Sequence, residues 1–230
     1  MNIIGIIGAM ALEVETLKAH MSNVRVESRT GMNFFRGTLH STEVVVVQSG
    51  VGKVNAALCV QILVDLYQVT HVINTGIAGS LDAALDICDI AISDDLAYHD
   101  FHVGPFGYSW GQVPGMDVLA FPADARMAGL AEELCRAQGV GCKRGRIVSG
   151  DQFIAEAAEK EAILAHVGGI CTEMEGAAIA HAAYRNGIPF LVIRAISDKA
   201  DHTAEMDYPT FERLAAERSA KLVEALVQEI

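Results

Sequence analysis

A chain of 230 residues, 51% hydrophobic and 20% charged, can bury one substantial core; this excludes disorder and fits a single domain over residues 1–230. A net charge of −12, with no basic cluster longer than Lys143-Arg144, excludes nucleic acid as a partner, because a phosphate backbone would be repelled. Five cysteines (Cys59, Cys88, Cys135, Cys142, Cys171) without C-x-x-C or paired Cys/His spacing point to reduced thiols in a cytoplasmic protein.

The near-continuous β-branched run Ile3–Gly8 predicts a first buried strand, and Glu13 and Glu15 arrive too early for a secretory signal. A helix is expected over residues 11–21, where Leu12, Val14 and Leu17 sit among Glu and Lys. Residues 24–30 and 34–39 flank Gly31-Met32-Asn33 and predict a hairpin; the valine run within 43–48 predicts a buried strand. Gly50-Val51-Gly52-Lys53 opens a helix through Tyr67, with Cys59 a small core residue. Residues 71–74 read as a short strand running into a glycine turn, Thr75-Gly76-Ile77-Ala78-Gly79-Ser80, and residues 89–97 as another strand. A long loop then covers 98–115 and carries Phe101, Phe106, Tyr108 and Trp110.

Helices are expected over 123–138, 155–166 and 173–185, strands over 144–149 and 189–196, and a last helix from about Tyr208 to Gln228. This alternation predicts an α/β domain whose central mixed, twisted sheet is flanked by helices on both faces, with sites at the carboxyl ends of the strands. No apolar run approaches the roughly 18 residues of a membrane helix, so no membrane partner is expected.

Several chemistries find no support. Gly50-x-Gly52 lacks the third glycine and the acidic ribose partner of a dinucleotide site, so no cofactor is expected. Eight histidines contain no H-E-x-x-H, His99 and His102 read as solvated loop residues, and no metal is expected. Ser149-Gly150-Asp151 lacks the G-x-S-x-G elbow of a serine nucleophile. The acids say more. Glu13 follows the first strand's glycine, Glu173 and Glu175 bracket Met174 near a helix start, and Asp198 follows the strand ending Arg194-Ala195-Ile196-Ser197. Converging strand ends bring separate carboxylates into one cleft. Equally, Glu173 and Glu175 suit a helix N-terminus, where negative charge gains about 0.3–1 kcal/mol, and Asp198 suits a turn. The residues alone leave both readings open.

Six segments occur in order: Gly5-Ile6-Ile7-Gly8-Ala9-Met10-x-x-Glu13, Ser49-Gly50-Val51-Gly52-Lys53, Asn74-Thr75-Gly76-x-Ala78-Gly79, Ser149-Gly150-Asp151-x-Phe153-Ile154, Glu173-Met174-Glu175 and Arg194-Ala195-Ile196-Ser197-Asp198. Together they resemble the bacterial methylthioadenosine/S-adenosylhomocysteine nucleosidases of the nucleoside phosphorylase superfamily, from residue 3 to the C-terminal helix.

The resemblance implies an N-ribosyl hydrolase acting on a 5'-thio-substituted adenine nucleoside. By it, Asp198 is the general acid that protonates adenine N7, with Ser197 holding its carboxyl, and Glu13 is the base that activates water. Arg194 orients Glu13 as a bidentate fork. Glu175 accepts the ribose hydroxyls beside Met174 and Glu173, Phe153 stacks on adenine, and the Ile154 backbone binds the base edge. Ala78 and Gly79 complete the substrate site. The 5'-substituent lies among Met10, Val51 and Tyr208, covered by Val103 and Phe106 of the partner subunit in a homodimer. This chain departs from the pattern at Ile77, where a hydroxyl residue is common, at Ser80, where glycine is frequent, and at Tyr208, where phenylalanine is frequent. Three rivals are an aminodeoxyfutalosine nucleosidase, a phosphate-dependent phosphorylase and a non-catalytic nucleoside-binding protein. The second needs arginines where this chain has Glu13 and Asn74-Thr75, and the third would have lost Glu13 or Asp198.

Overall fold

The computed structural model describes residues 2–201 and 204–230, and of residues 205 and 206 only the backbone. The β-branched run at the start forms β1 (Ile3–Gly8), and its last glycine turns the chain into α1 (Ala11–His20). The hairpin is β2 (Ser22–Arg29) with β3 (Met32–Leu39), and the valine run is β4 (Thr42–Gln48). Then follow α2 (Lys53–Tyr67), β5 (His71–Ser80), β6 (Ile90–Tyr98), a two-residue β7 (Phe121–Pro122), α3 (Ala125–Gln138) and β8 (Cys142–Ser149). The chain closes with α4 (Ala157–His166), β9 (Cys171–Glu173), α5 (Gly176–Asn186), β10 (Phe190–Asp198) and α6 (Ala204–Val227).

One mixed sheet contains every strand, as expected, and this is a single α/β domain. Its branching was not expected. On one edge β5 pairs with β10 from Val72 to Gly79; on the other it pairs with β1 only through Asn74 and with β9 from Gly79. The pairings β10–β6, β6–β8 and β8–β9 then close a five-stranded ring, while β1, β4, β3 and β2 continue outward as an open wing. Helices α2 and α5 cover one face through Cys59, Val60, Leu63, Ala177 and Ala180; α1, α3 and α6 cover the other through Leu17, Ala131, Ala216 and Val223. Among the described residues no helix is long and apolar enough to cross a membrane.

Three boundaries differ for long-range reasons. The expected glycine turn after Asn74 is extended strand, because β10 holds the whole segment by its other edge. The expected helix over 173–185 is split, since Cys171–Glu173 pairs with β8 and β5 before α5 starts at Gly176. The last helix begins at Ala204, four residues ahead of Tyr208. The gap on β5 between its β1 and β9 pairings lies at the carboxyl ends of β1, β8, β9 and β10, the position where an α/β sheet builds its sites.

Candidate active site

Glu13 sits in the first turn of α1 and folds back over the strand end. Its Oε2 accepts the N–H groups of Ala9 at 2.7 Å and Met10 at 2.9 Å, and its Oε1 accepts the Ile77 N–H at 3.2 Å, filling the gap along β5. The side chain is 4% exposed. Burial pushes its pKa up, while the Arg194 charge and the three backbone donors pull it down. Gly76 makes the arrangement possible: a Cβ there would lie 2.6 Å from Glu13 Oε1 and 3.1 Å from an Arg194 Nη. Replacing it, Gly76→Ala, must therefore displace the carboxylate. Adenine release by that variant is expected to fall about 10²-fold with the fold retained, read as kcat beside a thermal melt. An unchanged kcat would show that Glu13 does not depend on this clearance.

Asp198 ends β10 just past an irregularity in the pairing with β5, which swings its carboxyl into the cleft. Ser197 Oγ donates to Oδ2 at 2.8 Å and the Ala200 N–H to Oδ1 at 2.9 Å, with Ala200 in the left-handed region at φ 49°. Gly79 plays the part that Gly76 plays for Glu13, since a Cβ would stand 2.7 Å from Asp198 Oδ1 and 2.9 Å from the Ala200 Cβ. Burial pushes the Asp198 carboxyl up, the charges of Asp207 and Asp201 add to the rise, and the two hydrogen bonds oppose it. Burial thus raises both carboxyls, with the Arg194 guanidinium opposing the rise at Glu13 and neighbouring carboxylates adding to it at Asp198.

Between them, β9 delivers Glu173 and α5 begins at Glu175. Glu173 accepts from the Gly176 N–H at both oxygens, 3.0 Å and 2.7 Å, from the Glu175 N–H at 3.2 Å, from Ser149 Oγ and from Arg194 Nη2. It lines the cleft floor, but protein donors engage both oxygens, so it braces the N-terminus of α5 where a substrate ligand was expected. Arg194 also differs from expectation. Its hydrogen bonds run to Glu173, Asn74 and the Ile193 carbonyl, and it reaches Glu13 through its field and not as a fork. The reason is competition for one cation among three buried glutamates, of which Glu173 lies nearest. Glu175 keeps one oxygen on the Gly52 N–H at 2.8 Å, with the other 3.9 Å from Arg194. Burial and the Glu173 charge push it up to about 8, so it has spare capacity for a hydroxyl-bearing ligand.

The remaining walls are apolar. Met10, Val51, Ile77, Ala78, Phe153, Ile154, Met174 and Tyr208 line a concave cleft that is open to solvent at its mouth. The Tyr208 hydroxyl donates to Met10 Sδ at 3.4 Å, and its ring meets Phe153 edge to face at 5.5 Å. Phe153 is 49% exposed, which leaves its face free for a flat heterocycle. Val103 and Phe106 do not line the cleft of their own chain, and Phe106 is 80% exposed on a short 3₁₀ turn. Sequence reasoning missed Asn74 as the second acceptor for Arg194, and it missed Thr172, whose buried hydroxyl on the cleft wall has no partner among the described residues. Neither carried a local signal. Among the described residues no group of His, Cys, Asp or Glu is arranged to hold a metal ion.

A single α/β sheet with Glu13, Glu173, Glu175 and Asp198 buried around one cleft at its strand ends defines a small-molecule enzyme, and the chain belongs to the phosphorylase superfamily, whose sequence model matches residues 3–228. Within it the chain falls with the 5'-methylthioadenosine/S-adenosylhomocysteine nucleosidases. The Halalkalibacterium halodurans protein of that name is 42% identical over 228 residues, 99% of this chain and 98% of the relative. The Neisseria meningitidis nucleosidase, solved in complex with methylthio-immucillin-A, is 36% identical with a TM-score of 0.97 over 100% of both chains. An aspartate-to-asparagine variant of the Helicobacter pylori enzyme, solved with 5'-methylthioadenosine in its active site, is 31% identical with a TM-score of 0.96 over 100% of both chains.

Proposed function

We propose that the protein hydrolyses the N-glycosidic bond of 5'-methylthioadenosine and S-adenosylhomocysteine, and of 5'-deoxyadenosine, to adenine and the 5-substituted ribose. The observation that carries this reading is the pair of buried carboxyl groups, Glu13 and Asp198, that face one cleft. The bond from C1' to adenine breaks with its electrons passing to the base, and protonated Asp198 delivers a proton to N7 as they arrive. Water adds to the oxocarbenium-like C1', losing its proton to Glu13. Glu175, whose second oxygen is free of the Gly52 N–H, accepts the ribose hydroxyls. Adenine lies against Phe153 and Ile154. The 5'-group lies among Met10, Val51 and Tyr208, where a thioether is desolvated cheaply and a phosphate is not. The Tyr208 hydroxyl, already engaged by Met10 Sδ, adds little polarity there.

Water is the acceptor because phosphate would be uncompensated. Among the described residues no Lys or Arg side chain lines the cleft, and Arg194 behind it is engaged by Glu173 and Asn74. Adenine release from methylthioadenosine in phosphate-free buffer is expected to yield free methylthioribose and to be unchanged by added phosphate. A phosphate-dependent rate with a sugar phosphate product would assign phosphorolysis. The same assay with aminodeoxyfutalosine tests that rival directly.

We also infer a homodimer. Val54 and Leu58 are exposed at helical spacing along the start of α2, with the exposed Val51 just before it, an apolar patch that a second copy would cover. In it, Val103 and Phe106 of the partner subunit would close the 5' end. With five free cysteines the protein fits the cytoplasm, where it would serve methionine salvage and the recycling of S-adenosylmethionine.

A further inference from the structure

Lys160 lies on α4, outside the cleft, yet its ammonium group ends beside the general acid. Its Nζ donates to the carbonyl oxygen of Ser80 at 2.8 Å and to that of Lys199 at 2.6 Å. The first carbonyl closes β5, and the second belongs to the peptide whose N–H, that of Ala200, holds Asp198 Oδ1 at 2.9 Å. One peptide group therefore has a cation on its oxygen and the catalytic carboxyl on its nitrogen. A cation on a carbonyl strengthens the hydrogen bond donated by the same peptide, since the two ends polarise one another. The Lys199 side chain steadies the peptide from a second direction, reaching the Leu85 carbonyl at 2.5 Å and Asp86 at 3.1 Å. Among the described residues, the charges of Asp201, Lys199, Asp198 and Asp82 act on Lys160.

We propose that Lys160 is a positioning residue for leaving-group protonation: by tying the end of β5 to the Lys199–Ala200 peptide, it fixes the donor that aims Asp198 at the departing base. This rests on the hydrolase reading above. The left-handed Ala200, fully buried against Gly79, marks the turn as one that needs holding.

The test compares two leaving groups on one sugar. Adenine needs a proton to depart, whereas the aryloxide of a 4-nitrophenyl 5-methylthio-β-ribofuranoside does not. In Lys160→Met, kcat for adenine release from methylthioadenosine is expected to fall by about tenfold or more, with nitrophenolate release changed less than about twofold. Lys160→Arg, whose guanidinium also donates to two carbonyls, should recover most of the adenine rate. Equal slowing of both substrates would reduce Lys160 to a structural residue and overturn the proposal, as would no slowing of either. Failure of the unaltered protein to release adenine would instead overturn the functional reading, and that result is read before any variant is compared.

Discussion

Asp198→Asn is expected to lower kcat for adenine release by about 10²- to 10⁴-fold, the range that general acid catalysis contributes. The substitution is nearly isosteric. An amide oxygen can still accept the Ala200 N–H, and the Ser197 hydroxyl can turn to accept from the amide nitrogen, so the turn keeps its hydrogen bonds. What is lost is a proton acidic enough to pass to N7. The pH dependence follows from the direction of the shift. Asp198 works protonated, and burial raises its pKa, so activity is present below that pKa and lost as pH rises through it. The residual activity of Asp198→Asn should therefore lack the alkaline limb that kcat/KM shows in the unaltered protein. Near-normal turnover with an unchanged profile would remove Asp198 from the chemistry. The Helicobacter pylori variant solved with methylthioadenosine in its active site shows that an asparagine-substituted relative holds this nucleoside.

Much of this architecture is legible in the chain, and the limits of that legibility have physical causes. Strands β1, β4 and β10 are readable because they are buried on both faces and so appear as unbroken apolar runs. The acids are readable because strand ends in such sheets converge, whatever the loops between them. Gly76 and Gly79 illustrate the boundary. As sequence they signal a turn. In the structure they are extended residues whose missing side chains make room for Glu13 and Asp198. A glycine that turns the chain and a glycine that clears space look alike until the neighbouring strand is placed.

Glu173 and Glu175 mark a second boundary. Two acids flanking Met174 at a helix start are interchangeable in sequence, and only the pairing of β9 with β8 and β5 decides that Glu173 turns inward to Arg194 and Ser149. That choice leaves Glu175 with an oxygen for the ligand. It also engages the Arg194 guanidinium, so the hydrogen bonds to the Glu13 carboxylate come from backbone donors. Arg194 and Glu173, each 2% exposed at the side chain, form a fully desolvated pair, and removing Arg194 would leave Glu173 buried without a cation. The site is held by an ion pair behind it, while among the described residues the two working acids make no direct salt bridge.

Glu13→Gln carries the other large effect: kcat is expected to fall by about 10²- to 10⁴-fold with KM little changed, because the base pocket formed by Phe153 and Ile154 is untouched. The structural cost is smaller. Glu13 accepts three backbone N–H groups on two oxygens, so an amide nitrogen in place of one oxygen must face at least one donor, a loss of about 1–3 kcal/mol. A thermal melt separates that loss from the chemical one, since a folded protein at assay temperature rules out unfolding as the reason for a slow rate. The sign of the pH effect is opposite to that at Asp198. Glu13 works ionised, so activity appears as pH rises through its raised pKa, and the acid limb of kcat/KM should disappear in Glu13→Gln. If the variant stays within tenfold of the parent and keeps its acid limb, water adds to the sugar cation without a base and Glu13 serves only to cap α1; loss of the rate and the limb together assigns the proton of water to Glu13.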